Sequence, residues 1–108
     1  MAQKLVQINF HYAIPKQQLQ AGTDEALALI QQAPGLIWKI WIYNDQDKIA
    51  GGIYLFENED TARAYANGPV VASLKNSPVF SDFNVRLFDI MREQSQATHA
   101  YLGGSFPH

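Results

Sequence analysis

Chemistry in this 108-residue chain has few places to come from, and most of them sit on strand-like segments. Lys39 lies between two tryptophans, Trp38 and Trp41, and Tyr54 and Phe56 follow the Gly51-Gly52 step. Gln7 and Asn9 near the start, and Arg86 beside Phe88 near the end, add further hydrogen-bonding groups. Strand alternation predicts that Gln7, Asn9, Lys39, Tyr54 and Arg86 share one side with Trp41, Phe56 and Phe88. Polar groups in an apolar setting need partners, because an unsatisfied one costs about 1–3 kcal/mol. They satisfy one another, or they converge on a ligand. Aromatic walls with a few convergent polar groups are the usual form of a small-molecule site.

Other chemistries find little support. The chain has no Cys, so thiolate ligands, disulfides and a Cys nucleophile are absent together. His11, His99 and His108 are scattered without metal-ligand spacing, so no metal site is expected. Ser95 and Thr98 lack a His/Asp pattern for nucleophilic catalysis. Neither a phosphate-binding nor a dinucleotide-binding glycine motif is present, and Gly51-Gly52 reads as a bulge or a close backbone approach. The net charge is -2, without the surplus of Lys and Arg that a phosphate backbone demands, so nucleic-acid binding is not expected. The most apolar run, residues 35–43, is too short to cross a bilayer, and no signal-peptide block precedes the first strand. A soluble cytoplasmic protein is the default expectation.

The elements that must position these residues follow from hydrophobic period. Val6, Ile8, Phe10 and Tyr12 alternate with Gln7, Asn9 and His11, which predicts a first strand over residues 5–12. Pro15 suits a first helical turn, and Leu19, Ala26, Leu27, Ile30 and Ala33 recur at helical spacing over about residues 16–32. Thr23 with Asp24 and Glu25 offers a later start, and Gly22 weakens the longer helix. Pro34-Gly35 ends that helix, and strands follow over residues 36–43 and 48–56 around a polar turn. Asn58 is a natural N-cap for a second helix ending at Asn67-Gly68, and Pro69 opens a short turn through Leu74. A fourth strand is expected over residues 80–91, and the chain is polar beyond it. The order strand, helix, strand, strand, helix, strand predicts an α+β, ferredoxin-like βαββαβ antiparallel sheet, one domain over residues 1–91 with a C-terminal extension over 92–108.

Such a sheet carries its helices on one face, yet most of its strands are apolar on both sides. Leaving Trp41, Tyr54, Phe56 and Phe88 in water would expose a patch larger than monomers usually show. A second copy of the sheet is the simplest cover, which predicts a homodimer closed around an interior cavity.

Pro34-Gly35-Leu36-Ile37-Trp38-Lys39-Ile40-Trp41, followed by residues 50–56 (Ala50-Gly51-Gly52-Ile53-Tyr54-Leu55-Phe56), resembles the YdhR-type mono-oxygenase family. The segments at residues 5–10 and 88–90 are similar to its first and last strands, and the resemblance extends over about residues 5–98. Asn9 stands where a relative has His, and residues 91–94 depart from the usual segment. The resemblance implies a dimeric α/β barrel and cofactor-free oxygenation of a small aromatic or quinol-like compound by O₂. It implies catalytic roles for Asn9, Trp41, Tyr54 and Arg86, the donors steadying an anion and Trp41 forming a stacking wall. Gln7, Lys39, Phe56 and Phe88 would then contact the substrate.

Each residue also has a plainer reading. Trp38 and Trp41 are core material, Tyr54 a packed ring with a satisfied hydroxyl, and Arg86 an ion pair at a dimer seam. Lys39 lies along the wall with its ammonium in water. Gln7 and Asn9 bond to each other, and His11 lies exposed near a strand end. The helices contain no His to ligate haem iron. A non-catalytic ligand-binding or stress-response module on the same fold is the alternative function. An acid–base isomerase or cyclase would need a carboxylate or His in the cavity, and Asp89 alternates away from it.

Overall fold

A computed structural model describes residues 2–103. Expectations that involve residues 104–108, His108 among them, lie outside that span. The elements run β1 (Lys4–Tyr12), α1 (Lys16–Gln31), β2 (Leu36–Asn44), β3 (Ile49–Phe56), α2 (Glu59–Ala66), α3 (Pro69–Lys75), β4 (Phe80–Phe88) and α4 (Arg92–Ala97). The four strands form one antiparallel sheet in the order β2-β3-β1-β4, the ferredoxin-like arrangement. The fourth strand stops three residues earlier than its apolar pattern suggested, and the polar stretch after it forms the short helix α4. Among the described residues no helix is long and apolar enough to cross a membrane.

The core lies between the sheet and α1, α2 and α3. Val6, Ile8, Phe10 and Tyr12 on β1 point into it, joined by Tyr54 and Phe56 from β3 and by Leu19, Ile30, Ala62, Tyr65 and Val71 from the helices. Phe10 meets Phe80 edge-on at 4.8 Å and stacks on Phe83 at 5.1 Å between ring centroids. Those two phenylalanines share a face although three positions apart. Between Asn9 and His11 the β1–β4 register shifts, and Asp82 takes a left-handed backbone (φ 54) at that bulge.

Pairing runs without a break through Gly51 and Gly52 on both sides of β3, so the pair marks a close approach and not a bulge. A Cβ at Gly51 would lie 1.8 Å from the Ile8 carbonyl oxygen. Asn58 caps α2, its side-chain oxygen accepting from the Thr61 amide at 2.9 Å, while Glu59 and Asp60 sit at the positive end of the helix. Asn58→Ala removes that acceptor and is expected to cost about 1 kcal/mol in a denaturant titration.

The segment after α4 folds back over the sheet face that lacks helices. Trp38 donates its indole N–H to the Tyr101 carbonyl at 2.7 Å, and the Gln3 amide donates to the Leu102 carbonyl. Leu102 is buried, as is Leu55 on β3. The rest of that face stays open, with Ile40, Ile49 and Phe88 exposed on it.

Candidate functional site

Cross-strand register decides which candidate residues can meet. Val6, Ile8 and Phe10 on the helix-covered side stand opposite Tyr54, Gly52 and Ala50 of β3, which in turn stand opposite Lys39, Trp41 and Tyr43 of β2. Lys39, Trp41, Tyr54 and Phe56 therefore lie under the helices. Gln7 and Asn9 lie on the open side, opposite Arg86 and Asn84 of β4, and Phe88 shares that side through its pairing with Leu5. The single polar-and-aromatic face expected from alternation is thus two faces with the sheet between them. Within one chain, Asn9 and Arg86 cannot touch a substrate held by Trp41 and Tyr54.

The open-side polar groups satisfy each other. Gln7 donates to Asn9 at 3.1 Å along β1, and Arg86 donates to Asn84 at 3.0 Å along β4. Phe56 is fully buried, its ring 5.5 Å from that of Tyr65, and forms core rather than cavity wall. His11 is on the open side as well, opposite Ile49.

A cavity of about 610 Å³ opens between α1 and the sheet. Its origin can be read from one face of α1. Leu19 and Ile30 are buried and anchor the two ends of the helix on the core, while Gly22, Thr23 and Ala26 between them are small. A Cβ built on Gly22 meets nothing within 4 Å. Two large side chains hold the helix up and the small ones leave the space beneath it empty. The sheet supplies the floor through Ile8, Phe10, Ala50 and Tyr54, and α3 closes one side with Val70 and Leu74. Polar side chains on the wall include Gln18 and Thr23 of α1, Ser73 of α3, and Lys39 and Tyr54 of the sheet.

Lys39 is the most unusual of these. Its ammonium lies 3.2 Å from the centroid of the Trp41 ring and 4.6 Å from that of Tyr54. The sequence suggested a lysine reaching out to water; instead the side chain folds over Gly52, where a Cβ would fall 2.4 Å from the Lys39 Cε. Ring faces attract the cation, and burial, which disfavours its charge, lowers its pKa from 10.5 to about 7. Among the described residues no carboxylate pairs with it. Tyr54 is almost wholly buried and accepts a hydrogen bond from the Tyr65 hydroxyl at 3.2 Å. Burial, ahead of the neighbouring Tyr65, pushes the Tyr54 hydroxyl well above its usual value, so it stays neutral. Trp41 is 36% exposed and stands at the rim.

The atom closest to a Cβ at Gly52 is the far end of a flexible side chain, and the Tyr54 ring, 3.1 Å away, needs to give by only a few tenths of an ångström, so Gly52→Ala is expected to fold and to swing Lys39 out of its ring contacts. Its ammonium should then titrate nearer the usual lysine value, which NMR titration of the labelled side chain would read. An unchanged titration would mean that the glycine does not set the position of Lys39.

The polar residues of α1 and α3 escaped the sequence reading. The available signal was the run of small residues on the inner face of the first helix, framed by Leu19 and Ile30, which looks like ordinary helix patterning until the sheet beneath is known.

Residues 5–101 match the family model described as "Putative mono-oxygenase ydhR". The chain belongs to the ydhR family. As a family member it shares its fold with several solved structures. A protein of unknown function from Nitrosomonas europaea is 20% identical, with a TM-score of 0.70 over 96% of this chain and 98% of that one. SnoaB from Streptomyces nogalater, a cofactor-independent oxygenase solved as a mutant, is 14% identical with a TM-score of 0.66 over 84% of this chain and 95% of SnoaB. The haem-degrader MhuD from Mycobacterium tuberculosis, solved with two haems in its active site, is 18% identical with a TM-score of 0.59 over 81% and 95%. A search of curated proteins finds no match to this ydhR-family chain.

Proposed function

We propose that this ydhR-family protein is a mono-oxygenase that binds a small aromatic or quinol-like compound between α1 and the sheet and oxidises it with O₂, the substrate supplying the electrons. The observation that carries the reading is the cavity itself: about 610 Å³ of mostly apolar space with Lys39 on its wall. That volume falls within the range of small-ligand sites, roughly 300–1,000 Å³. Trp41 and Tyr54 offer ring faces for an aromatic guest. SnoaB, with the same fold, is a cofactor-independent oxygenase. In an anthrone-like substrate, one oxygen atom would replace the two hydrogens of a methylene and the other would leave as water. The protein's part is to exclude water and hold the ionised substrate near a positive charge.

MhuD raises the question of haem. Among the described residues no His lines this cavity; His11 is on the open side and His99 follows α4. That favours an organic aromatic over haem. Gln7, Asn9, Arg86 and Phe88 we assign to the seam between two copies in a homodimer, where Ile40 and Ile49 would also be covered. Sedimentation at micromolar concentration should give the mass of two chains, and a single-chain mass would remove that assignment.

Oxygen uptake with a panel of anthrone- and quinol-type compounds tests the main reading. The expected result is enzyme-dependent uptake with one heavy oxygen atom entering the product from labelled O₂. Tight binding without uptake would instead support a ligand-binding module.

A further inference from the structure

The cavity needs a group that can take a proton, and its wall offers few. The titratable side chains lining it are Lys39, Tyr43 and Tyr54, with no Asp, Glu or His among the described residues. From α1 the wall receives uncharged groups, Gln18, Gln20 and Thr23, and from α3 Ser73. Lys16 of α1 holds its ammonium 5.9 Å from the ring centroid of the exposed Tyr43 on the cavity wall. Tyr54 is held neutral by burial, with Tyr65 bonded to its hydroxyl.

We propose that Lys39 is the proton acceptor of this cavity, so that its substrates are hydroxy-aromatic or readily enolised compounds which ionise as they bind; the assignment rests on the cavity being the substrate site. The step is a simple transfer. The neutral amine takes the proton, the substrate O–H or C–H electron pair stays on the substrate, and the ammonium so formed lies against the anion it created. Geometry supports this in three ways: the amine reaches the cavity, two ring faces hold it there, and among the described residues no carboxylate neutralises it beforehand. Burial, which already lowers its affinity for a proton to the neutral range, leaves part of the population unprotonated at physiological pH. A guest anion in the same pocket would then be the missing counter-charge.

The test uses p-nitrophenol, whose colour reports its ionisation, titrated into the whole protein slightly below the probe's own pKa. Wild type should bind it as the yellow phenolate. Lys39→Met should bind it as the colourless phenol, with affinity for the phenolate form at higher pH reduced about tenfold, the weight of one pKa unit. Lys39→Arg, which keeps the charge but cannot act as a base, should bind the preformed phenolate yet lose turnover of an ionisable substrate. Colourless binding by wild type, or the same ionisation in wild type and Lys39→Met, would overturn the role of Lys39 and leave the cavity as the binding site. Failure of wild type to bind any aromatic probe would overturn the cavity reading and this assignment with it.

Discussion

Lys39→Met should lower kcat/KM for an ionisable aromatic substrate by about 100-fold, the lower end of what a positioned base contributes, while making the folded protein more stable at neutral pH. The two effects have one cause. The Lys39 ammonium has a folded-state pKa of about 7 against the ordinary 10.5, lowered by burial. Between those values the unfolded chain binds the proton that the folded chain has released. Stability therefore rises as pH increases from about 7 towards 10.5 and is at its lowest below that window. Methionine has similar length and no charge to bury, so the variant should lose that pH dependence and melt higher at neutral pH. Melting curves of both proteins across the window give the comparison, with wild type minus variant cancelling the other titrating groups. A variant that melts lower than wild type at neutral pH, or keeps the wild-type slope, would show that Lys39 stabilises the fold and is not held at a cost for the sake of the site.

Gly22→Leu should produce the second large effect. The position faces the cavity with no atom within 4 Å of where a Cβ would stand. A leucine there starts from open space on the cavity wall and is expected to extend into the space a ligand would use. Helix propensity favours the change by about 0.8–1 kcal/mol, since glycine in a helix interior is poor, and burial of the new side chain adds to it. The expected result is a more stable protein whose affinity for an aromatic probe falls at least about tenfold, or 1.4 kcal/mol. Gly22→Ala serves as the control, gaining the full helical benefit while leaving the cavity open. Calorimetric binding with both variants reads the difference. Undiminished affinity in Gly22→Leu would place the ligand elsewhere.

Local order in this fold was well marked in the sequence. The first strand alternates from Val6 to Tyr12, Asn58 caps where its type and the two acids after it suggest, and Pro15 and Pro34-Gly35 frame α1. Pairing across strands was not so marked. A period of two shows that Lys39, Trp41 and Tyr43 share a side of β2, but not which side of the sheet that is. Only contact with β3, and through it with β1, decides, and such contacts are remote in sequence. Since β2 and β3 are apolar on both sides, hydrophobicity does not break the tie: alternation alone puts Tyr54 with Asn9, whereas the register puts it with Val6. The bulge between Leu36 and Trp38 hid the answer further, because it brings Leu36 onto the same side as Lys39 against the strict alternation. The cavity was illegible for a related reason. Small residues on a helix face signify close packing in one fold and empty space in another, and the anchors Leu19 and Ile30 determine which. Helix α4 lacked an apolar face of its own and gave no periodic signal.

The most direct measurement is a crystal structure of the protein with an anthrone-type inhibitor. The ligand should lie between α1 and the sheet, its ring against Trp41 and Tyr54 and its ionised oxygen within hydrogen-bond reach of the Lys39 Nζ. Electron density for the ligand on the opposite side of the sheet, beside Asn9 and Arg86, would contradict the account.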